Sequence, residues 1–337
     1  MVNDSRLRRL VTAAAALTLV VAGCGDDGTS DATGATATEA GGRAVADGAF
    51  PVTIEHALGE TVLDAAPERV VTLGYGDEDA VAALDVVPVG SIADGGAFTP
   101  WYQAAIGDAE VEGFDLLDGF PFEQVAALEP DLIVVMANDV TAADYDRLTG
   151  IAPTLAFQTE PFLDAWQDMT VAIGTALGAA EEAESLVADT EAGVLAAGAA
   201  HPEWAGRTFA VGVVMSPDEI GVLVSPEENT VRVLTDLGLE LAPGAAGLEI
   251  GATGFSAFIS REQIEVLDAD VLVLREGGDG VRAALEADPL FQSLAVVQEG
   301  DVVWAEPDLW AAFRSPSVLA IPYALDGLVP LLEELEP

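Results

Sequence analysis

Glu123-Gln124-Val125-Ala126-Ala127-Leu128-Glu129-Pro130-Asp131-Leu132-Ile133-Val134-Val135 returns 139 residues later as Glu262-Gln263-Ile264-Glu265-Val266-Leu267-Asp268-Ala269-Asp270-Val271-Leu272-Val273-Leu274, with five of thirteen positions identical. Most of the other positions exchange like for like. Each copy begins as a short helical stretch and ends in an aliphatic run without polar alternation, the pattern of a strand covered on both faces. We read one helix-turn-strand unit used once in each of two similar lobes. The alternative is a chance likeness between two ordinary helix-to-strand junctions.

Outward from the two copies, further short apolar runs alternate with helical stretches. Residues 69–73, 86–90, 131–136, 208–215, 270–274 and 301–305 read as strands. Continuous apolar strands separated by helices imply parallel sheets, so the expected class is α/β, with Rossmann-like lobes. Between the third and fourth of these strands lies a long helical region, residues 162–200. Gly178 is placed to cap a first helix at Leu177, leaving a second helix over 179–200 with Pro202 just beyond its end. At 1.5 Å per residue that second helix spans about 30 Å, the width of a small domain, and can join two lobes rigidly.

The ends carry different signals. Arg6, Arg8 and Arg9 precede a thirteen-residue apolar run, Leu10 to Ala22, too short to cross a bilayer comfortably. Val21-Ala22-Gly23-Cys24 follows, similar to the lipobox of bacterial lipoproteins, which implies a signal peptide over 1–23 and a lipid on Cys24; an uncleaved membrane helix or an ordinary secretory signal is the alternative. Cys24 is the only cysteine of the chain, so the folded part has no disulfide and no thiolate metal cluster. Residues 24–49 are Gly-, Ala-, Thr- and Asp-rich and read as a flexible tether. The expected lobes are then 50–178 and 201–337, joined by the helix 179–200.

The charge is extreme. The full chain has 12 basic and 58 acidic residues and a formal charge of −46, and no lysine occurs. Without residues 1–23, nine arginines remain against 57 acids, near −48. Such a field excludes nucleic acid and anionic lipid as main partners, since both need clustered positive charge.

Several fragments, in this order and spacing, resemble the periplasmic binding proteins for ferric siderophores and cobalamin. They are Glu55-His56-Ala57-Leu58-Gly59-Glu60-Thr61, Pro67-Glu68-Arg69-Val70-Val71, Ala83-Leu84-Asp85-Val86 with Pro88-Val89-Gly90, Ala127 to Val134, Ile151-Ala152-Pro153-Thr154, and Ser315-Pro316-Ser317 followed by Leu325-Asp326. The resemblance covers nearly all of residues 52–335. It implies a monomeric, extracytoplasmic solute-binding component of an ABC importer on the outer face of the cell membrane, with an iron chelate held between two lobes on one stiff helix and no resident cofactor. It also implies that one exposed glutamate per lobe, here Glu123 and Glu262, docks on the membrane permease. A helix dipole alone also favours an acid at those positions.

In doubly wound sheets, ligands sit beyond the carboxyl ends of the strands. That rule selects Tyr75, Trp101, Tyr102 and Asn138 in the first lobe and Met215, Ser216, Arg275, Trp310 and Arg314 in the second. Aromatic faces suit a bulky chelate and arginines its metal-bound oxygens. Each aromatic has core packing as its plain alternative, and Arg314 has an ordinary ion pair. The negative field disfavours anionic catecholates and favours a neutral or cationic hydroxamate chelate, with cobalamin or haem as alternatives.

An enzyme finds little support. Only His56 and His201 occur, and both read as surface or turn residues, neither placed for a nucleophilic triad. Bare zinc or manganese would need more histidines than two. Gly74-Tyr75-Gly76 lacks the third glycine of a dinucleotide loop.

Overall fold

The computed structural model describes residues 45–251 and 254–335. The expected signal peptide, Cys24 and most of the tether lie outside them. The last five tether residues are described, and they are not free: Ala46 N donates to Gly178 O at 3.0 Å.

The folded chain opens with an antiparallel hairpin, β1 (Val52–His56) and β2 (Gly59–Leu63). The alternating burial of β1 turns Ile54 and His56 inward. His56 is therefore a buried residue and not the surface or turn residue expected: its Nε2 lies 3.1 Å from the Tyr145 hydroxyl, and burial holds its pKa below the ordinary range.

The first sheet contains β3 (Val70–Thr72), β4 (Gly90–Ile92), β5 (Glu112–Phe114), β6 (Leu132–Val135) and β7 (Thr154–Ala156) in the order β5-β4-β3-β6-β7, every pair parallel. Between them run α1 (Asp77–Ala83), α2 (Pro100–Ile106), α3 (Phe122–Ala127) and α4 (Ala142–Thr149). The order is doubly wound, and its switch point falls between β3 and β6. The strand expected over 86–90 begins only at Gly90, opposite Val71. Asp85 at positive φ and Pro88, which has no N–H to donate, make that stretch an entry loop.

Then come α5 (Trp166–Leu177), closed by Gly178 at φ 71°, and α6 (Ala180–Ala200), 21 residues long. The two expected helices are thus present, the second starting one residue late. Small residues seat α6 at both ends. A methyl on Gly174 of α5 would stand 2.3 Å from the Ala183 side chain, and one on Gly198 would stand 2.7 Å from Leu237 O, so any larger side chain would push the rod off its neighbours.

The second sheet contains β8 (Thr208–Ser216), β9 (Glu219–Leu223), β10 (Glu240–Leu241), β11 (Ser256–Ile259), β12 (Val271–Glu276) and β13 (Val302–Trp304). Its order is β11-β9-β8-β12-β13, with β10 also on β8. The centre is parallel, as expected from the apolar runs. The β8–β9–β11 wing is antiparallel, a hairpin extension the sequence reading did not foresee. Helices α7 (Asn229–Asp236), α8 (Pro243–Ala246), α9 (Val281–Glu286), α10 (Ala295–Glu299), α11 (Pro307–Arg314) and α12 (Ala320–Glu333) belong to this half.

The two copies of the repeat take the same place in each sheet. The first forms α3 and β6, with β6 parallel to β3; the second forms a 3-10 helix, Arg261–Leu267, and β12, with β12 parallel to β8. Beside α6, a seam of apolar residues crosses between the lobes. Trp101, Tyr102 and Ile106 of α2 share one buried cluster with Trp310, Phe313 and Ile321 of the second half, and the Trp101 and Tyr323 rings lie 4.9 Å apart.

Candidate ligand-binding cleft

At the switch point β3 and Leu73 are followed by the turn Gly74-Tyr75-Gly76, and α1 begins directly after it. Gly74 is required there, because a methyl group on it would meet Asp77 Oδ2 at 2.2 Å. The tight turn aims Tyr75 and the first turn of α1 beyond the sheet edge. From the other lobe, β13 leads into α11, whose Pro307 sits at the first helical turn. Pro307, Trp310, Ala311 and Arg314 are spaced by three or four residues and so share one face of that helix.

These two edges enclose a cavity of about 330 Å³. Tyr75, Gly76, Glu78, Asp79, Thr99 and Trp101 line it from the first lobe, and Arg275, Pro307, Trp310, Ala311, Arg314 and Ser315 from the second, together with Phe162. A hollow of about 210 Å³ adjoins it at Trp310 and Arg314, walled by Met215, Phe255 and Phe258. Another of about 290 Å³ adjoins it at Arg275 and Pro307. Met215 and Phe258 are 50% and 60% exposed, an apolar rim on the antiparallel wing. Together the three have the size and the mixture of rings and a few convergent charges that suit a small-molecule ligand. A larger groove, about 660 Å³, lies elsewhere against β1 and α5, but it is wide open and neither an aromatic nor an arginine lines it.

The expected residues divide. Tyr75, Trp101, Arg275, Trp310 and Arg314 meet in the central cavity, and Met215 lines its neighbour. Two do not line it. Tyr102 is buried on the inner side of α2, edge-on to Phe98, where burial raises its phenol pKa far above the ordinary value. Asn138 donates through Nδ2 to Leu73 O at 2.7 Å, which ties the loop after β6 to the end of β3. Ser216 instead accepts from Asp218 N in the turn to β9. The plain alternatives also hold in part. Trp101 is wall and core together, and Arg314 is an ion-pair partner, its Nη1 2.6 Å from Glu228 Oε1.

The two arginines are held differently. Glu228 is buried, caps α7 by accepting from Val231 N, and fixes Arg314. Arg275 forms no ion pair among the described residues; its guanidinium lies 6.0 Å from the Trp310 ring centre. Its donors are thus available to an oxygen-rich ligand.

Sequence reading missed the acidic part of the wall. Asp77, Glu78 and Asp79 are all buried. Asp79 Oδ2 accepts from Trp101 Nε1 at 2.7 Å and from Ser317 Oγ at 2.5 Å, the second bond reaching across from the other lobe. Asp77 Oδ2 accepts from Met136 N at 2.9 Å. Burial raises both aspartates to about 7, and burial next to Asp79 raises Glu78 well above the carboxylate range. Thr99, Phe162, Phe255 and Phe258 were missed too. An acid run directly after the glycine turn that follows β3, at the carboxyl edge of the sheet, was the signal available for Glu78 and Asp79.

Glu123 lies exposed in the first turn of α3, and Glu262 exposed in the first turn of the matching 3-10 helix, one in each lobe. No group of three or more histidine, cysteine or acidic side chains among the described residues is arranged to hold a metal ion, and no described helix is long and apolar enough to cross a membrane.

Comparison with known proteins agrees with this architecture. The chain is 27% identical over 270 residues to the Fe(3+) dicitrate-binding periplasmic protein FecB of Escherichia coli K12, covering 79% of this chain and 86% of that one. The iron-uptake ABC transporter substrate-binding protein PiaA of Streptococcus pneumoniae TIGR4, solved in complex with ferrichrome, superposes with a TM-score of 0.73 at 31% identity, over 83% of this chain and 97% of that one. A periplasmic solute-binding protein of Mycobacterium smegmatis gives 0.74 at 29% identity, over 84% and 98%. The sequence matches the periplasmic binding protein family over residues 70–309, and the chain belongs to that family.

Proposed function

We propose that this chain captures a ferric siderophore in the interlobe cavity and delivers it to an ABC permease, acting as a binding protein and not as an enzyme. The observation that carries the reading is the convergence of Tyr75, Trp101, Trp310, Arg275 and Arg314 from two lobes on one cavity, in a chain with so few arginines. Relatives named for ferric dicitrate, ferric anguibactin and ferric enterobactin support an iron chelate as cargo. A hydroxamate chelate is favoured within that class. The overall negative charge repels anionic catecholates, and ferrichrome, a hydroxamate, is bound in the PiaA complex. Cobalamin and haem are the competing ligands, since the same aromatic cleft would accept either.

In this reading Cys24 carries the lipid that holds a monomeric protein to the outer face of the membrane, the tether lets it reorient, and the iron arrives with the chelate, so no resident cofactor is required. Glu123 and Glu262 set register on a basic permease surface, one charge per lobe. Titrating the mature protein with ferric hydroxamate, ferric catecholate, ferric citrate, cobalamin and haem, followed by tryptophan quenching, tests the ligand. Saturation by the ferric hydroxamate at the lowest concentration supports the proposal; tight binding of cobalamin or haem alone rejects it.

A further inference from the structure

Glu78 and Asp79 are 6% and 1% exposed, both line the central cavity, and Asp77 beside them is fully buried. None of the three has a cationic partner among the described residues, although two arginines line the same cavity. Arg314 is matched by Glu228, and Arg275 rests against Trp310. The hydrogen bonds that the acids do accept leave oxygens over. Asp79 uses Oδ2 for Trp101 and Ser317, while its Oδ1 has no partner. Glu78 accepts from Gly76 N through Oε2 at 3.1 Å and from its own backbone N–H, with no side-chain donor among the described residues.

Buried carboxyl groups without a counter-charge are costly, and proteins ordinarily pair them or leave them protonated. The cavity therefore has two unlike ends. The second-lobe end offers a guanidinium without an ion pair. The first-lobe end offers adjacent carboxyls that a positive group from outside could match.

We propose that Glu78, supported by Asp79, is a cation-recognising subsite, and that this chain selects ferric chelates carrying a protonated amine. This rests on the reading that an iron chelate occupies the cavity. The chelate's iron-bound oxygens lie toward Arg275 and its ammonium toward Glu78. The groups facing Glu78 are Asp77 and Asp79 on its own helix, Tyr102 from α2, and Arg275 and Arg314 from the opposite wall. An arriving ammonium favours the ionised carboxylates, so binding releases protons near pH 7, where the aspartates titrate.

The test uses one linear ferric trihydroxamate in two forms, with a free terminal ammonium and with that amine acetylated, on the mature protein at 0.15 M salt. The ammonium form should bind roughly tenfold tighter or more, and Glu78→Gln should bring the ratio of the two affinities to about one. Calorimetry at pH 7 in buffers of different ionisation enthalpy should show more protons released by the ammonium form than by the acetylated one. That readout needs no variant. Equal affinities and equal proton release in the wild type overturn the subsite while leaving the hydroxamate reading standing. A ratio kept by Glu78→Gln also overturns it, because the preference would then belong to the overall negative field. Binding of neither form overturns the hydroxamate reading and this one with it.

Discussion

Met136 and Arg275 occupy the same position in the two copies of the repeat, one residue beyond the aligned thirteen, and they end up in opposite environments. Met136 is 0% exposed, its N–H bound to Asp77 under α1. Arg275 lines the cleft. The difference comes from the neighbouring strand. β3 has three residues and turns at once into Gly74-Tyr75-Gly76, so helix α1 covers the end of β6. β8 has nine, and pairs with β12 as far as Glu276, which carries Arg275 past the covered zone. A duplicated backbone unit therefore fixes where the cleft is, while strand length and the loop residues decide its chemistry. In this chain the first lobe contributes carboxyls and the second guanidiniums.

Exchanging the two residues should break the symmetry of outcome. Met136→Arg places an unpaired guanidinium in a closed core and should cost about 4 kcal/mol or more, seen as loss of a cooperative unfolding transition. Next in size is Arg314→Ala. It leaves the buried Glu228 carboxylate alone and should lower stability by about 3 kcal/mol in urea titration.

The acidic side predicts a pH effect of known sign. Asp77 is raised from 3.8 to about 7 in the folded chain, so the native state holds its proton more tightly than the unfolded state does. Its contribution therefore falls as pH rises from about 4 to about 7 and is flat above. Asp77→Asn should shrink the loss of stability between pH 5 and pH 8 by about 2 kcal/mol, measured by chemical denaturation at both pH values. An unchanged pH dependence would mean that Asp77 is ionised and compensated. The smallest effect belongs to Ser317→Ala. It removes the donor to Asp79 and the acceptor for Ala320 N at the start of α12, and should cost about 1 kcal/mol in a thermal melt.

Much of this was legible in the sequence, for physical reasons. The repeat is legible because a strand buried on both faces admits only aliphatic residues, and the same restriction acts in each lobe. The rod is legible because Gly178 and Pro202 punctuate it. Arg275 and Arg314 stand out because cations are scarce. The antiparallel wing was not legible, since β9 and β11 are short and one face of each is wet. Glu78 and Asp79 were hidden for another reason. Acids in a first helical turn are usually solvated, and only the turn after β3, folded against α2 and Ser317, buries them. Tyr102 and Asn138 followed the rule of strand ends but turned inward, because α2 packs on the second lobe and the Asn138 amide closes a loop.

If a ferric chelate sits in the cleft between the lobes, Arg275, which forms no ion pair among the described residues, is the cation its oxygens meet. The direct measurement is the binding isotherm of a ferric trihydroxamate for wild type and Arg275→Met, by tryptophan quenching, alongside an unfolding curve of each. A chelate bound in the cleft gives Arg275→Met a 10- to 100-fold weaker affinity, about 1 to 3 kcal/mol, with stability changed by about 0.5 kcal/mol or less, since Arg275 has no ion pair to lose among the described residues. Identical isotherms for the two proteins would contradict it.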